Sequence, residues 1–175
     1  MTRAEFCAVI AGLFEEYDEK NMDIYIANDK NFSDVRTDFW YTPYIGFVVS
    51  EGIMNGYDAG RFNPNTNTTR AEVCKVLASI FKFENKNVEN KFKDELKGQW
   101  YEEAVTTLVE AGMINGYDDG TFKGNNNITR AELVILINRI TGKSISDEEV
   151  EKLDVPFKDL KKTNWYYKDI LIASR

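Results

Sequence analysis

Three arginines, Arg3, Arg70 and Arg130, hold the second place of one tetrapeptide, Thr-Arg-Ala-Glu, written at 2–5, 69–72 and 129–132. Each copy opens an apolar run of helical period. A guanidinium in the first turn of a helix is opposed by the helix dipole by roughly 0.3–1 kcal/mol, so its presence three times needs a compensating cause. A helix N-terminus already presents unpaired N–H groups to anions. Arginine adds a planar fork matched to a carboxylate or phosphate, with charge-assisted hydrogen bonds of about 1.5–3 kcal/mol each. The pattern therefore predicts that Arg3, Arg70 and Arg130 receive an anionic group; exposed pairing with a nearby acid is the structural alternative. The flanking residues make a capping box. Thr2 with Glu5, Thr69 with Glu72, and Thr129 with Glu132 are expected to close helix starts and need no functional explanation.

Two further sets recur with the arginines. Trp40, Trp100 and Trp165 each follow a phenylalanine by eight residues, in Phe-x-Asp segments beginning at Phe32, Phe92 and Phe157. Their flat faces suit stacking on a sugar or a guanidinium; a core anchor is the competing assignment. Asn-Gly-Tyr-Asp-x-Gly loops at 55–60 and 115–120 carry turn chemistry. Gly56, Asp58, Gly116 and Asp118 are candidates to hold ligand hydroxyls, while Tyr57, Phe62, Tyr117 and Phe122 are expected to pack. The same loops mimic a calcium site. However, an EF-hand needs its glycine six residues before its glutamate, and Gly120 stands twelve before Glu132. No metal and no cofactor is predicted.

The elements that must position these residues come from an internal repeat. Residues 52–72 and 112–132 share 13 of 21 positions. The spacing predicts helices after each Thr-Arg-Ala-Glu: Phe6, Val9, Ile10, Leu13 and Phe14 follow one stripe, Val73, Val76, Leu77, Ile80 and Phe81 repeat it, and Leu133, Leu136, Ile137 and Ile140 continue it. Partner helices follow each tryptophan, with stripes such as Trp100, Ala104, Val105, Leu108 and Val109, closed by Gly52 and Gly112. The reading is one all-α domain over 1–175. Its three units, approximately 1–51, 69–111 and 129–175, are joined by loops 52–68 and 112–128, with approximate threefold symmetry around a shared helical core. The polar connections inside units run over the surface. The first, through MDIYIA at 22–27, is expected to add a short strand or packed turn. Gly124 in place of Pro64 is expected to loosen the second loop.

Composition narrows the function. The net charge of −7 argues against a nucleic-acid surface, and any anion must be held by local cations. The absence of histidine removes the commonest general base. Carboxylates are plentiful, but they recur as caps and turns rather than as a lone pair in a cleft, so no enzyme is predicted. No stretch approaches the roughly 20 apolar residues of a membrane span, so no membrane insertion is expected. No signal peptide is visible at MTRAEF, and an export signal is expected outside this segment. Cys7 and Cys74 fall where the third copy has Val134, and are expected to be core residues.

Taken together, FSDVRTDFW…EGIMNGYDAGRFNPNTNTTRAEV and FKDELKGQW…AGMINGYDDGTFKGNNNITRAEL resemble S-layer homology (SLH) repeats. The partial copies MTRAEF and FKDLKKTNWYYKDILIA resemble them too. The resemblance implies three helix-loop-helix repeats packed as a pseudo-threefold trimeric spindle. It also implies an extracellular module at the bacterial cell surface that binds an anionic, pyruvylated secondary cell-wall polysaccharide noncovalently in grooves between repeats. Carried over by position, Arg3, Arg70 and Arg130 would grip the carboxylate, Trp40, Trp100 and Trp165 would line the grooves, and Gly56, Asp58, Gly116 and Asp118 would hold hydroxyls. The alternative is a structural module that binds other S-layer proteins without a glycan site of its own. With two Gly-Tyr-Asp-x-Gly loops for three units, the third groove is expected to be incomplete.

Overall fold

A computed structural model describes residues 1–14, 17–18, 32–57, 60–83, 89–94, 96–155 and 157–174. Asp58 and the MDIYIA segment lie outside them. The described residues are all-helical: α1 Arg3–Ala11, α2 Thr42–Ser50, α3 Arg70–Phe81, α4 Glu102–Glu110, α5 Arg130–Ile140, α6 Asp147–Lys152 and α7 Tyr167–Ala173. Each Thr-Arg-Ala-Glu helix packs on the tryptophan helix that follows it in its own unit, α1 on α2, α3 on α4 and α5 on α7.

The three capping boxes form as the sequence requires. Thr2, Thr69 and Thr129 accept from the backbone N–H of Glu5, Glu72 and Glu132, whose carboxylates reach back to the cap backbone. A fourth box, Ser146 with Glu149, opens α6. Gly52 and Gly112 follow the ends of α2 and α4 at φ of 67° and 71°. There the N–H groups of Ile53 and Met113 turn back to the carbonyls of Val48 and Leu108, the left-handed helix stop that glycine permits.

The loops stitch one unit to the next. Arg3 N–H and Ala4 N–H, at the open start of α1, donate to Thr66 O and Pro64 O; Arg70 and Ala71, at the start of α3, donate to Asn126 O and Gly124 O, all at 2.9 Å. Single antiparallel bridges pair Thr2 with Asn67 and Thr69 with Asn127. The orphan donors of a helix start are thus satisfied by the loop that joins its unit to the next. Gly124 is boxed in rather than loosened: a Cβ there would lie 2.8 Å from the Tyr101 ring.

Beneath these contacts lies one core that includes Phe6, Ile10, Phe47, Phe62, Leu77, Leu108 and Phe122 and reaches Leu133 and Leu136 of α5. Ile145, Tyr167, Leu171 and Ile172 form a separate small cluster in the third unit. Cys7 and Cys74 are free and fully buried, and burial pushes both thiols up to about 12, so they behave as small apolar side chains.

Candidate inter-repeat binding cleft

The first-turn arginines answer the dipole in a way the sequence did not show. Arg3 and Arg70 are 5% and 4% exposed, and their guanidinium groups pass beneath the loop that leads to the next unit. Arg3 Nε donates to Phe62 O at 3.0 Å and Nη2 to Asn55 O at 2.9 Å. Arg70 repeats this with Phe122 O and Asn115 O, both at 3.1 Å. Loop aromatics sandwich each group: Tyr57 and Phe62 lie 4.4 and 4.6 Å from the Arg3 guanidinium carbon, and Tyr117 and Phe122 lie 4.6 and 4.8 Å from that of Arg70. Tyr57, Phe62, Tyr117 and Phe122 therefore pack as expected, but against a cation.

Each arginine also faces the capping glutamate of the next Thr-Arg-Ala-Glu helix. The N···O separations are 3.7 Å for Arg3–Glu72, 2.9 Å for Arg70–Glu132 and 3.6 Å for Arg130–Glu5. The pairs run head to tail through all three helices. The glutamates thus do more than cap. Tyr57 OH donates to Glu72, and Tyr117 OH donates to Glu132 at 2.7 Å. Partial burial pushes the Glu132 carboxyl up, but the Thr129 N–H, the Tyr117 and Thr129 hydroxyls and the Arg70 charge together hold it below the usual glutamate value. Burial and the Glu132 hydrogen bond push the Tyr117 hydroxyl up to about 12.

The aspartates of the Phe-x-Asp segments hold the loops from the other side. The Asp34 carboxylate accepts from Phe62 N and Asn63 N, and that of Asp94 from Phe122 N and Lys123 N, all within 2.8 Å. Sequence reasoning gave these residues no role. Their recurrence at a fixed place before each tryptophan was the available signal. Gly56 and Gly116 have a packing cause: a Cβ would lie 2.4 Å from Phe32 or Phe92 and 2.7 Å from the carbonyl of Arg61 or Thr121.

The tryptophans are not core anchors. Trp40, Trp100 and Trp165 are 57, 56 and 69% exposed, and two of them meet arginines of a neighbouring unit. A cleft of about 560 Å³ brings Trp165 together with Arg70, Asn115, Gly116, Asp118, Glu132 and Arg139. A second, of about 420 Å³, sets Trp40 beside Arg130, Glu5 and α5. Arg139, which sequence reasoning passed over, donates to Met113 O at 3.3 Å and forms no ion pair among the described residues. In the first cleft the Arg70 charge is already matched by Glu132, which leaves Arg139 as a lining cation without an ion-pair partner among the described residues. Among the described residues no group of histidine, cysteine or acidic side chains is placed to hold a metal, and no helix is long and apolar enough to cross a membrane.

A helical repeat protein in which exposed tryptophans share clefts with arginines of a neighbouring unit is the class that this geometry defines. The model of the S-layer homology domain matches residues 31–74 and 91–134, and the chain belongs to that family. It is 34% identical to the cellulosome-anchoring protein of Acetivibrio thermocellus, over 97% of this chain and 37% of that protein. It is 31% identical to cell surface glycoprotein 1 of the same organism, over 98% of this chain and 8% of the relative. Against the S-layer protein sap of Bacillus anthracis it is 32% identical, over 79% of this chain and 17% of the relative. The chain thus spans well under half the length of these relatives.

Proposed function

We propose that this chain is a noncatalytic cell-surface anchoring module and that the cleft beside Trp165 binds an acidic wall polysaccharide. The family and the surface-layer and anchoring proteins among the relatives support the anchoring role. One observation carries the glycan assignment: Trp165, far more exposed than packing requires, stands in one cleft with Gly116, Asp118, Arg70 and Arg139. An aromatic face stacks on the apolar face of a sugar ring, Asp118 accepts from hydroxyls, and a pyruvyl carboxylate meets Arg139 with Arg70 behind it. Arg3 and Arg70 act chiefly by holding the loops that carry the hydroxyl-binding groups. By the order of the ion-pair ring, Trp100 belongs with Arg3 and Gly56, and Trp40 with Arg130. Two or three such clefts on one polymer add by effective concentration.

Binding to purified bacterial secondary cell-wall polymer tests this. Trp165→Ala and Arg139→Ala are expected to weaken binding about tenfold or more with helical circular dichroism unchanged. Mild acid removal of ketal-linked pyruvate from the polymer should weaken binding to the unmodified protein. Undiminished binding in the Trp165→Ala, Arg139→Ala double variant would refute the cleft. Retention on walls only through other surface-layer proteins would favour an assembly module instead.

A further inference from the structure

Two asparagines of this chain precede a glycine, Asn55 and Asn115, and the fold gives both the same surroundings. Both are exposed, and no hydrogen bond among the described residues engages their side-chain amides. Nor does one engage the N–H of Gly56 or Gly116. Their main-chain carbonyls, by contrast, are held by cations. Arg3 Nη2 donates to Asn55 O at 2.9 Å, and Arg70 Nη2 donates to Asn115 O at 3.1 Å. Both arginines are buried, where a charge acts more strongly than in water.

An asparagine followed by glycine carries an electrophile and a nucleophile within reach of each other. The glycine nitrogen meets the side-chain carbon by closing a small ring, and no Cβ on the glycine obstructs it. Attack needs the N–H proton removed, and the negative charge left behind spreads onto the asparagine main-chain carbonyl oxygen. That is the atom that Arg3 and Arg70 hold, so each guanidinium stabilises the charge where it develops. The bond from the glycine nitrogen to Cγ forms, the Cγ–Nδ2 bond breaks, and Nδ2 leaves as ammonia with the proton that the glycine gave up. Water from the solvent then opens the cyclic imide. Opening at Cγ leaves aspartate. Opening at the main-chain carbon leaves isoaspartate, whose free carboxylate is the former main-chain carbonyl.

We propose that Asn115–Gly116 is a site of spontaneous deamidation that turns the Trp165 cleft from receiving an acidic glycan to repelling it, with Asn55–Gly56 as its counterpart in the first loop. The loss of binding rests on the glycan reading of that cleft; the conversion stands apart from it. Asn115 and Gly116 line the cleft, and its charged lining balances, Arg70 and Arg139 against Asp118 and Glu132. Either product adds a carboxylate and tips the balance to negative. Isoaspartate places it against Arg70, in competition with Glu132 at 2.9 Å. It also lengthens the main chain where there is no spare room, since even a Cβ on Gly116 would lie 2.4 Å from Phe92 and 2.7 Å from the Thr121 carbonyl. Asn125, Asn126 and Asn127 are exposed as well, but none of them precedes a glycine.

The test incubates the intact folded chain at mildly alkaline pH and body temperature and follows each asparagine by proteolysis and mass spectrometry, with isoaspartyl methyltransferase labelling to detect isoaspartate. Asn55 and Asn115 should convert about tenfold faster than Asn125, Asn126 and Asn127, for want of a Cβ on the attacking residue. Equal rates would overturn the proposal. Asn55 should lead, because Glu72 stands 3.7 Å from Arg3 while Glu132 stands 2.9 Å from Arg70 and damps its charge; the reverse order would overturn the arginines' part in the reaction. Binding to purified secondary cell-wall polymer is measured on the same samples. In the Asn55→Gln chain, affinity should fall about tenfold as Asn115 converts, because like charges then meet in the cleft. The Asn55→Gln, Asn115→Gln double variant, whose longer side chains cyclise far more slowly, should keep its own starting affinity. Full conversion of Asn115 with undiminished affinity would overturn the repelling step. A fresh chain without affinity for the polymer would refute the glycan reading of the cleft instead, and the conversion would still be decided by mass.

Discussion

Arg70→Ala separates an arginine that holds the fold from one that waits at the surface. Its side chain is 5% exposed and that of its partner Glu132 is 13% exposed. Substitution removes a 2.9 Å ion pair, two hydrogen bonds to loop carbonyls and the stack between Tyr117 and Phe122. It leaves Glu132 partly buried without its cation. Removing one partner of a buried pair costs about 3–5 kcal/mol, and the two stranded carbonyls fall within the same range rather than adding in full. For a chain of this size, about 2–4 °C per kcal/mol translates that into a thermal midpoint lower by roughly 6–20 °C. Arg130→Ala removes a side chain that is 81% exposed, with a pair at 3.6 Å, and should stay within about 0.5 kcal/mol. Arg3→Ala should fall between, because its acid lies at 3.7 Å. Urea unfolding followed by far-ultraviolet circular dichroism measures all three. An Arg70→Ala loss no larger than that of Arg130→Ala would refute the carbonyl-and-acid account and return both arginines to the surface.

Other outcomes follow from the same contacts. Gly116→Ala places a Cβ 2.7 Å from the Thr121 carbonyl and 2.4 Å from the Phe92 ring, and should cost about 1–3 kcal/mol in the same urea assay. Asp94→Ala strands the N–H groups of Phe122 and Lys123; amide exchange in loop 112–128 should quicken before that of α4. Because the folded-state Glu132 carboxyl is held below the ordinary glutamate value of 4.5, its stabilisation is complete above about pH 4.5 and is lost as the pH falls through the lowered folded value. Glu132→Gln should therefore destabilise at pH 7 and flatten the acid limb of the stability curve. Trp100→Ala, on a side chain 56% exposed, should leave the urea midpoint within about 0.5 kcal/mol of the parent, whereas Phe62→Ala, fully buried, should cost about 3–5 kcal/mol.

The sequence alone determined whatever is settled by neighbours along the chain. The capping boxes at Thr2, Thr69 and Thr129, the glycine stops at Gly52 and Gly112 and the paired helices are events of hydrogen bonding and period, repeated often enough to be read by comparison of copies. The buried cysteines were legible for the same reason, since Val134 shows what that position tolerates. The destination of the arginines was not. A guanidinium reaches across a seam to carbonyls 45 to 59 residues away, and backbone oxygens leave no signature in residue type. Nor could repetition show that Asp34 and Asp94 clamp the N–H groups of Phe62, Asn63, Phe122 and Lys123, because those partners lie 28 or 29 residues further along the chain. Which tryptophan meets which arginine was likewise decided by tertiary structure: the pairing joins different units, and only packing sets the order in which similar units adjoin.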